Sequence, residues 1–283
     1  MRIRVSADST CDLSEALCAR FDITLAPLTI MVGAQAYHDG VDIHPADIFR
    51  AVEGGQKVST AAVNQAEYET LFRRLLQNAD AVIHICIGSG FSACYQNAQA
   101  AAARVENVWV LDSCNLTTGS GHLALDAVKM AREGRVPEEI MAALEKEVPL
   151  IDSSFVVSTT DYLYKGGRCS GLEAFGAKLL HIRPSIELTD GAMKPGKKYR
   201  GSFHLALEHY LKDKLANPED IDPSRVFITH SPCDAEIVPF VREEMQKRMP
   251  FGGVYETDAG CTVSTHCGPG TLGILFKRRQ PKR

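Results

Sequence analysis

The chain has 283 residues, of which 45% are apolar and 23% are charged, values typical of a globular protein and not of a disordered or fibrous one. Its 31 basic and 35 acidic side chains give a net charge of −4, which argues against a nucleic-acid-binding protein, since such proteins are usually basic. No apolar run approaches the ~18 residues of a membrane span, and Asp8 comes too early for a secretory signal, so we expect a cytoplasmic protein. Nine cysteines without a CxxC pair indicate reduced thiols and no zinc site.

Strand and helix patterns alternate through the first half of the sequence. Strands are predicted at 2–7, 81–87 and 108–112, with a further apolar run at 23–32. Helices are predicted near 12–20, 45–53, 65–78, 92–104, 117–133 and 138–147. This alternation predicts an α/β domain with a doubly wound, Rossmann-like, mostly parallel sheet, which we assign to residues 1–152.

The pattern restarts after Pro149 and predicts a second α/β domain at 153–283. The predicted strands are 155–159, 182–188, 225–230, 253–257, 262–265 and 271–276, and the predicted helices are 171–180, 202–215 and 234–248. A turn at Asp190-Gly191 suits a hairpin, so the second sheet is expected to be mixed or antiparallel.

A glycine-rich segment, Gly88-Ser89-Gly90-Phe91-Ser92-Ala93, lies between a predicted strand and a predicted helix. It spells G-x-G-x-x-A, and Asp112 follows 22 residues after Gly90, at the end of the next strand. This spacing is typical of a dinucleotide-binding oxidoreductase, in which the helix N-terminus holds pyrophosphate and the carboxylate binds ribose. The same residues also suit a tight turn capped by Ser92, or a helix N-terminus that binds another anion.

Three other segments place polar groups at turns. The Ser59-Thr60 hydroxyls precede a predicted helix, where cap and turn chemistry is the simpler interpretation. The turn His266-Cys267-Gly268-Pro269-Gly270 exposes backbone N–H groups beside an imidazole that can donate to an anion. Arg168, after two glycines, and Arg200, in a basic stretch, can face a phosphate or carboxylate, or belong to a solvated hairpin.

Two weaker patterns suggest other functions. Cys94, near the start of a predicted helix, and Cys267, beside His266, are candidate nucleophiles of an acyl hydrolase, but no third orienting group accompanies either. The basic C-terminal residues 277–283 suit contact with an anionic membrane surface, or a disordered tail.

Several segments together resemble the DegV family, which includes the fatty-acid-binding subunits of bacterial fatty acid kinase. The resemblance covers nearly the whole chain, and its most specific parts are the Tyr162–Arg168 and His266–Gly270 segments. The other matching segments are Ala7–Ser14, Ala26–Leu28, Tyr37–Gly40, Ser59-Thr60, Ser89–Gln96 and Leu111–Ser113. Departures from the family pattern include Ala61-Ala62-Val63 in place of Ser-Gln-Pro and Ala93-Cys94 in place of Gly-Thr.

The resemblance implies a lipid-binding protein of phospholipid metabolism that carries out no catalysis itself. Two α/β domains would enclose a long-chain fatty acid, with its carboxylate held by Thr60, Ser92 and His266. A separate ATP-dependent kinase would then phosphorylate the carboxylate, with Arg168 and Arg200 at the kinase face or near the phosphoryl group. No cofactor or metal is implied, and we find no P-loop lysine or metal-binding carboxylate set for ATP in the sequence.

The energetics of such a ligand require an apolar tunnel. A ~16-carbon tail gains on the order of 12 kcal/mol when it leaves water, at ~0.8 kcal/mol per methylene. Each hydrogen bond to the carboxylate contributes ~1.5–3 kcal/mol before desolvation is subtracted. We therefore expect a narrow apolar tunnel, closed at one end, between the two domains, with the three polar side chains at its mouth or bend.

Overall fold

A computed structural model of the protein describes residues 1–167 and 182–282. Its first half contains a four-stranded sheet formed by β1 (Ile3–Asp8), β2 (Ile23–Ala26), β6 (Ala81–Cys86) and β7 (Val108–Asp112). The four strands are parallel, in the order β2-β1-β6-β7. This confirms the predicted doubly wound, mostly parallel sheet.

Helices cover both faces of the parallel sheet. Helices α3 (Gln65–Leu76) and α4 (Cys94–Ala102) pack on one face. The other face is covered by α1 (Glu15–Phe21), α5 (Thr118–Arg132) and α6 (Pro137–Glu147). All six residues of β6 are buried, which explains why its sequence, AVIHIC, is apolar at most positions instead of alternating.

A small antiparallel sheet, which the sequence did not predict, is inserted between β2 and α3. Its strands are β3 (Thr29–Val32), β4 (Gln35–His38) and β5 (Val58–Ala61), in the order β4-β3-β5. Helix α2 (Pro45–Glu53) lies between β4 and β5 in the sequence. The apolar run at 23–32 is thus two strands, β2 and β3, and not one segment. The turn predicted around Ser59-Thr60 is strand β5.

The second half contains a six-stranded mixed sheet, as predicted. Its strands are β8 (Ile151–Val157), β9 (Ile182–Thr189), β10 (Ala192–Arg200), β11 (Ile221–His230), β12 (Val254–Asp258) and β13 (Thr271–Arg278). They are ordered β10-β9-β8-β13-β11-β12, and among the described strands of this sheet only β11 and β12 pair in parallel. The described helices of this half are α7 (Asp161–Gly166), α8 (Phe203–Lys214), α9 (Ile237–Arg248) and α10 (Cys261–Cys267). The helix predicted at 171–180 lies outside the described residues.

Two local predictions in this half are wrong. The segment 262–265, predicted as a strand, belongs to helix α10. The C-terminal residues up to 282 are not a disordered tail, because their lysine side chains form ion pairs with carboxylates that are partly or fully buried. Lys277 lies 2.7 Å from Asp126, and Lys282 lies 3.0 Å from Asp152, whose side chain is fully buried.

Helix α5 joins the two halves by packing against β8 and β13 of the six-stranded sheet. The buried His122 of α5 donates from Nε2 to the Leu275 carbonyl oxygen at 3.0 Å. The predicted domain boundary at 152/153 stays a prediction and falls inside β8. No helix within 1–167 or 182–282 combines the length and apolar character needed to cross a bilayer.

Candidate functional site

Thr60, Ser92 and His266, the three predicted ligand-binding side chains, line one cavity between the two halves. The cavity volume is about 60 Å³. Apolar side chains from both halves form most of the remaining wall, including those of Leu28, Ile87, Phe91, Leu116, Met193 and Val263. A few polar groups that converge in an apolar cavity are the usual arrangement of a small-molecule site.

Thr60 and His266 contact each other across the interface between the halves. The Thr60 Oγ1 and His266 Nε2 atoms are 2.9 Å apart, although 206 residues separate them in sequence. When Nε2–H donates to Thr60, the threonine hydroxyl hydrogen is left to donate to a ligand oxygen. The pair can therefore present a hydrogen-bond donor to a carboxylate.

Strand β5 aims Thr60 at the cavity. Thr60 pairs with Ile30 of β3, and the alternation of a strand turns Thr60 inward while Ser59 stays exposed. Just beyond the strand, the Asn97 side chain of α4 donates to the Val63 carbonyl oxygen at 2.8 Å. The segment that carries Thr60 is thus held on both sides.

Ser92 lies in the loop between β6 and α4. Its hydroxyl accepts a hydrogen bond from the Cys94 N–H at 3.3 Å. The start of the loop is fixed by Asp8, whose carboxylate accepts from the Ile87 N–H at 2.8 Å. Burial raises the pKa of the Cys94 thiol to about 11, so this cysteine is a poor nucleophile at neutral pH and does not support a hydrolase.

The residues of the dinucleotide-like motif serve other contacts. The Asp112 carboxylate accepts from the N–H groups of Ser89 and Cys114, at 3.0 and 2.9 Å. A Cβ on Gly90 would lie 2.3 Å from the Gly191 carbonyl oxygen, so this glycine permits the β9–β10 hairpin to pack on the loop. A ribose or pyrophosphate would have to displace these contacts, and the geometry does not favour the dinucleotide interpretation.

The two most specific segments of the resemblance pack against each other around His266. Gly166 ends α7, and a Cβ there would lie 2.5 Å from His266 Nδ1. A Cβ on Gly268 would lie 2.5 Å from the Tyr162 ring. Both glycines therefore allow close packing that fixes the imidazole, a role the sequence analysis missed because spacing alone does not reveal contacts.

Of the two predicted arginines, the structure describes Arg200 alone, and Arg200 is not among the residues that line the cavity. Arg168 lies outside the described residues. Arg200 is the exposed last residue of β10 and pairs with Ile182, seven residues beyond the cavity-lining Met193. A kinase-facing role for Arg168 and Arg200 stays a prediction.

A buried polar cluster lies under the cavity loops, in the parallel sheet. The ligand-type atoms of Asp8, His84 and Cys86 all lie within 4.8 Å of one another, although the sequence shows no short metal-binding spacing. Hydrogen bonds already engage the imidazole and the carboxylate. His84 contacts Ser6 at 2.9 Å and Asp8 at 3.2 Å, and the Tyr68 hydroxyl donates to Asp8.

A second, smaller cavity adjoins the first and shares Leu116, Val263 and Cys267 with it. Its volume is about 20 Å³, and the surface exposed inside it is mostly apolar. These two cavities are smaller than the narrow tunnel, closed at one end, that we expect from the ligand, and that tunnel stays a prediction. What the structure shows is an apolar path of two small cavities with the polar side chains in the larger one.

The chain as a whole matches a known family. A family model described as "Uncharacterised protein, DegV family" matches residues 2–279. The chain belongs to the DegV family. A DegV domain-containing protein of Caldanaerobacter subterraneus subsp. tengcongensis is 30% identical to it over 281 residues, which cover 98% of this chain and 99% of the relative.

Solved DegV structures have the same fold. A DegV family protein from Thermus thermophilus, described for its fatty acid binding, is 28% identical with a TM-score of 0.91 and covers 98% of this chain and 100% of its own. DegV from Bacillus subtilis, described as a fatty acid binding protein, is 26% identical with a TM-score of 0.85 and covers 99% and 100%. The α/β architecture with its three sheets is thus that of DegV proteins.

Proposed function

We propose that this DegV protein binds a long-chain fatty acid between its two halves and presents the carboxylate to a separate ATP-dependent kinase that forms an acyl phosphate. The observation that carries the proposal is the convergence of Thr60, Ser92 and His266 on one largely apolar cavity. The fatty acid binding described for the relatives from Thermus thermophilus and Bacillus subtilis supports the choice of ligand.

The acyl chain provides most of the binding free energy in this proposal. A 16-carbon tail gains on the order of 12 kcal/mol on leaving water, several times the contribution of any one hydrogen bond to its carboxylate. Pockets for ligands of this size usually have volumes of about 300–1,000 Å³. The two described cavities, of about 60 and 20 Å³, are smaller than this, and in this proposal they widen at their shared wall of Leu116, Val263 and Cys267 when the ligand binds.

The proposed role is to present the substrate, and the kinase performs the phosphoryl transfer. The segment closest to a P-loop, Gly191–Lys198, ends in two lysines and lacks the Ser or Thr that binds Mg²⁺. It also lies on the antiparallel strand β10, whereas a P-loop connects a strand to a helix. This supports a binding subunit that depends on a separate enzyme.

The ligand can be identified directly. The purified protein is denatured, and the released small molecules are analysed by mass spectrometry. We expect a long-chain fatty acid, whereas release of NAD would instead establish the dinucleotide interpretation. The delipidated protein should then bind fatty acid, and Thr60→Ala and Ser92→Ala should each weaken binding by roughly tenfold per 1.4 kcal/mol lost. If neither variant changes binding, the carboxylate is held elsewhere.

The kinase step has its own test. With a purified ATP-dependent fatty acid kinase, His266→Ala should reduce acyl-phosphate formation more than it reduces fatty acid retention, because the imidazole faces the developing negative charge. The Ser59→Ala variant is the matched control, since Ser59 lies beside Thr60 but is exposed. Equal losses in formation and retention would count against a presenting role for His266.

A further inference from the structure

Asp39 connects the two elements that carry Thr60 and His266. It follows β4 directly, in the small sheet whose strand β5 carries Thr60. Its carboxylate accepts hydrogen bonds from the first two N–H groups of α10, those of Cys261 at 2.8 Å and Thr262 at 3.1 Å. Asp39 is 4% exposed, and the contact joins residues 222 positions apart in sequence.

The position of the Asp39 carboxylate suits the start of a helix. The first N–H groups of a helix have no partners within it, and a negative charge there is stabilised by the helix dipole. Helix α10 has seven residues, a length of about 10 Å, and His266 is its sixth residue. Because so short a helix moves as a rigid unit, a shift at its start also moves the imidazole.

The same carboxylate also reaches the cavity wall. The Ser9 hydroxyl donates to Asp39 at 3.2 Å and accepts from the Leu28 N–H at 3.1 Å. The Asp39 N–H in turn donates to the Leu28 carbonyl oxygen at 2.9 Å. Since Leu28 lines the cavity, Asp39 links α10, the small sheet and the wall of the ligand site.

A second buried carboxylate, Asp12, lies beside Asp39, but only one of its two oxygens accepts a hydrogen bond among the described residues. Burial raises the pKa of Asp12 well above its usual range, against the hydrogen bond from the Gly260 N–H that lowers it. Asp12 Oδ1 accepts from that N–H at 3.0 Å, and an asparagine would keep this oxygen. Both oxygens of Asp39 accept hydrogen bonds, so an asparagine there would turn an NH₂ group toward an N–H or O–H donor.

We propose that Asp39 is a positioning residue of the ligand site. Asp39 holds the start of α10 against the sheet that carries Thr60. It thereby fixes the distance between Thr60 and His266, and hence the affinity of the site for the ligand carboxylate. This inference rests on the proposed function, since it concerns how the same site recognises a carboxylate.

The test compares a fatty acid with the alcohol of the same chain length. Asp39→Asn should weaken binding of palmitic acid by about tenfold, as for the loss of one hydrogen bond to a charged group, and should leave binding of hexadecanol within about twofold. Asp12→Asn is expected to bind both ligands like the wild type. The matched control is Asp42→Asn, three residues away on the same loop and exposed.

A double-mutant cycle separates positioning from general destabilisation. In the His266→Ala background, Asp39→Asn should cause no further loss of palmitic acid binding, because the effect of Asp39 passes through the imidazole. Additive losses, or equal losses for acid and alcohol, overturn the inference. If Asp39→Asn does not fold, Ser9→Ala replaces it in the test, because it removes one hydrogen bond to Asp39. Ser9→Ala should weaken palmitic acid binding by a smaller factor and leave hexadecanol binding unchanged. Weaker binding of both ligands would refute the inference. Failure of the wild type to bind palmitic acid refutes the proposed function instead.

Discussion

Replacement of Gly166 by alanine tests whether the imidazole of His266 holds the ligand. The added Cβ would lie 2.5 Å from His266 Nδ1, about 0.9 Å short of the 3.4 Å at which ordinary contact begins. The imidazole must therefore move by nearly 1 Å, and a displacement of that size disrupts the geometry of its 2.9 Å contact with Thr60. The site loses one preformed polar contact while its apolar wall stays intact.

The expected cost follows from that lost contact. A hydrogen bond to a charged group contributes about 1.5–3 kcal/mol, so Gly166→Ala should raise the Kd for a long-chain fatty acid by about 10- to 100-fold. Displacement of a fluorescent fatty acid measures the Kd, and the melting temperature of the apo protein shows whether the fold has changed.

A matched control lies at the next residue. Gly167 has a positive φ of 62°, and a Cβ at this position would meet no atom of the described residues within 4 Å, so Gly167→Asn should bind like the wild type. In combination with Thr60→Ala, Gly166→Ala should add little, because the contact it disrupts is already gone. Unchanged affinity of both Gly166→Ala and His266→Ala would refute the assigned role of His266.

Three further predictions concern the frame around the site. Gly90→Ala places a Cβ 2.3 Å from the Gly191 carbonyl oxygen, a backbone atom that no rotamer change can move, so the free energy of unfolding should fall by about 1–3 kcal/mol; an unchanged melting temperature contradicts this. Burial lowers the pKa of His122 to about 3, so between pH 6.5 and 5 the unfolded chain takes up a proton that the folded protein does not. The free energy of unfolding of the wild type should then fall by about 1.5 kcal/mol over that range, and that of His122→Gln should fall by less. Denaturant titrations measure both values, and equal falls would show that His122 does not cause the pH dependence. Asp152→Asn leaves the buried Lys214 ammonium without its 2.9 Å partner and should cost about 3–5 kcal/mol in the same titrations, where a loss below 1 kcal/mol would contradict the pairing.

Elements whose sequences reflect their own burial were predictable. The strand β6 is a continuous apolar run because both of its faces are covered, and the helices around it show the periodicity of one buried face. The three ligand-binding candidates were found through the family resemblance, and the structure brings them to one cavity. Their roles in binding remain part of the proposal.

Elements that depend on distant residues were not predictable. The segment 262–265, with two threonines and a valine, favours a strand locally, but the Asp39 carboxylate stabilises a helix there from 222 residues away. The basic C-terminus has the composition of a disordered tail, and only the fold shows that it pairs with the buried Asp152. The four-residue strand β5 is short and half polar, so nothing in its sequence distinguishes it from a turn.

Because Thr60 and His266 come from different halves of the chain, the site can bind its ligand only after both halves have folded. A chain whose C-terminal half is still unfolded has the threonine but not the imidazole, and it cannot hold a carboxylate between them. A ligand at 100 times its Kd adds about 2.7 kcal/mol to the free energy of unfolding, and it does so only for the fully assembled protein. A bound lipid would thus protect this protein selectively against partial opening and the proteolysis that follows it.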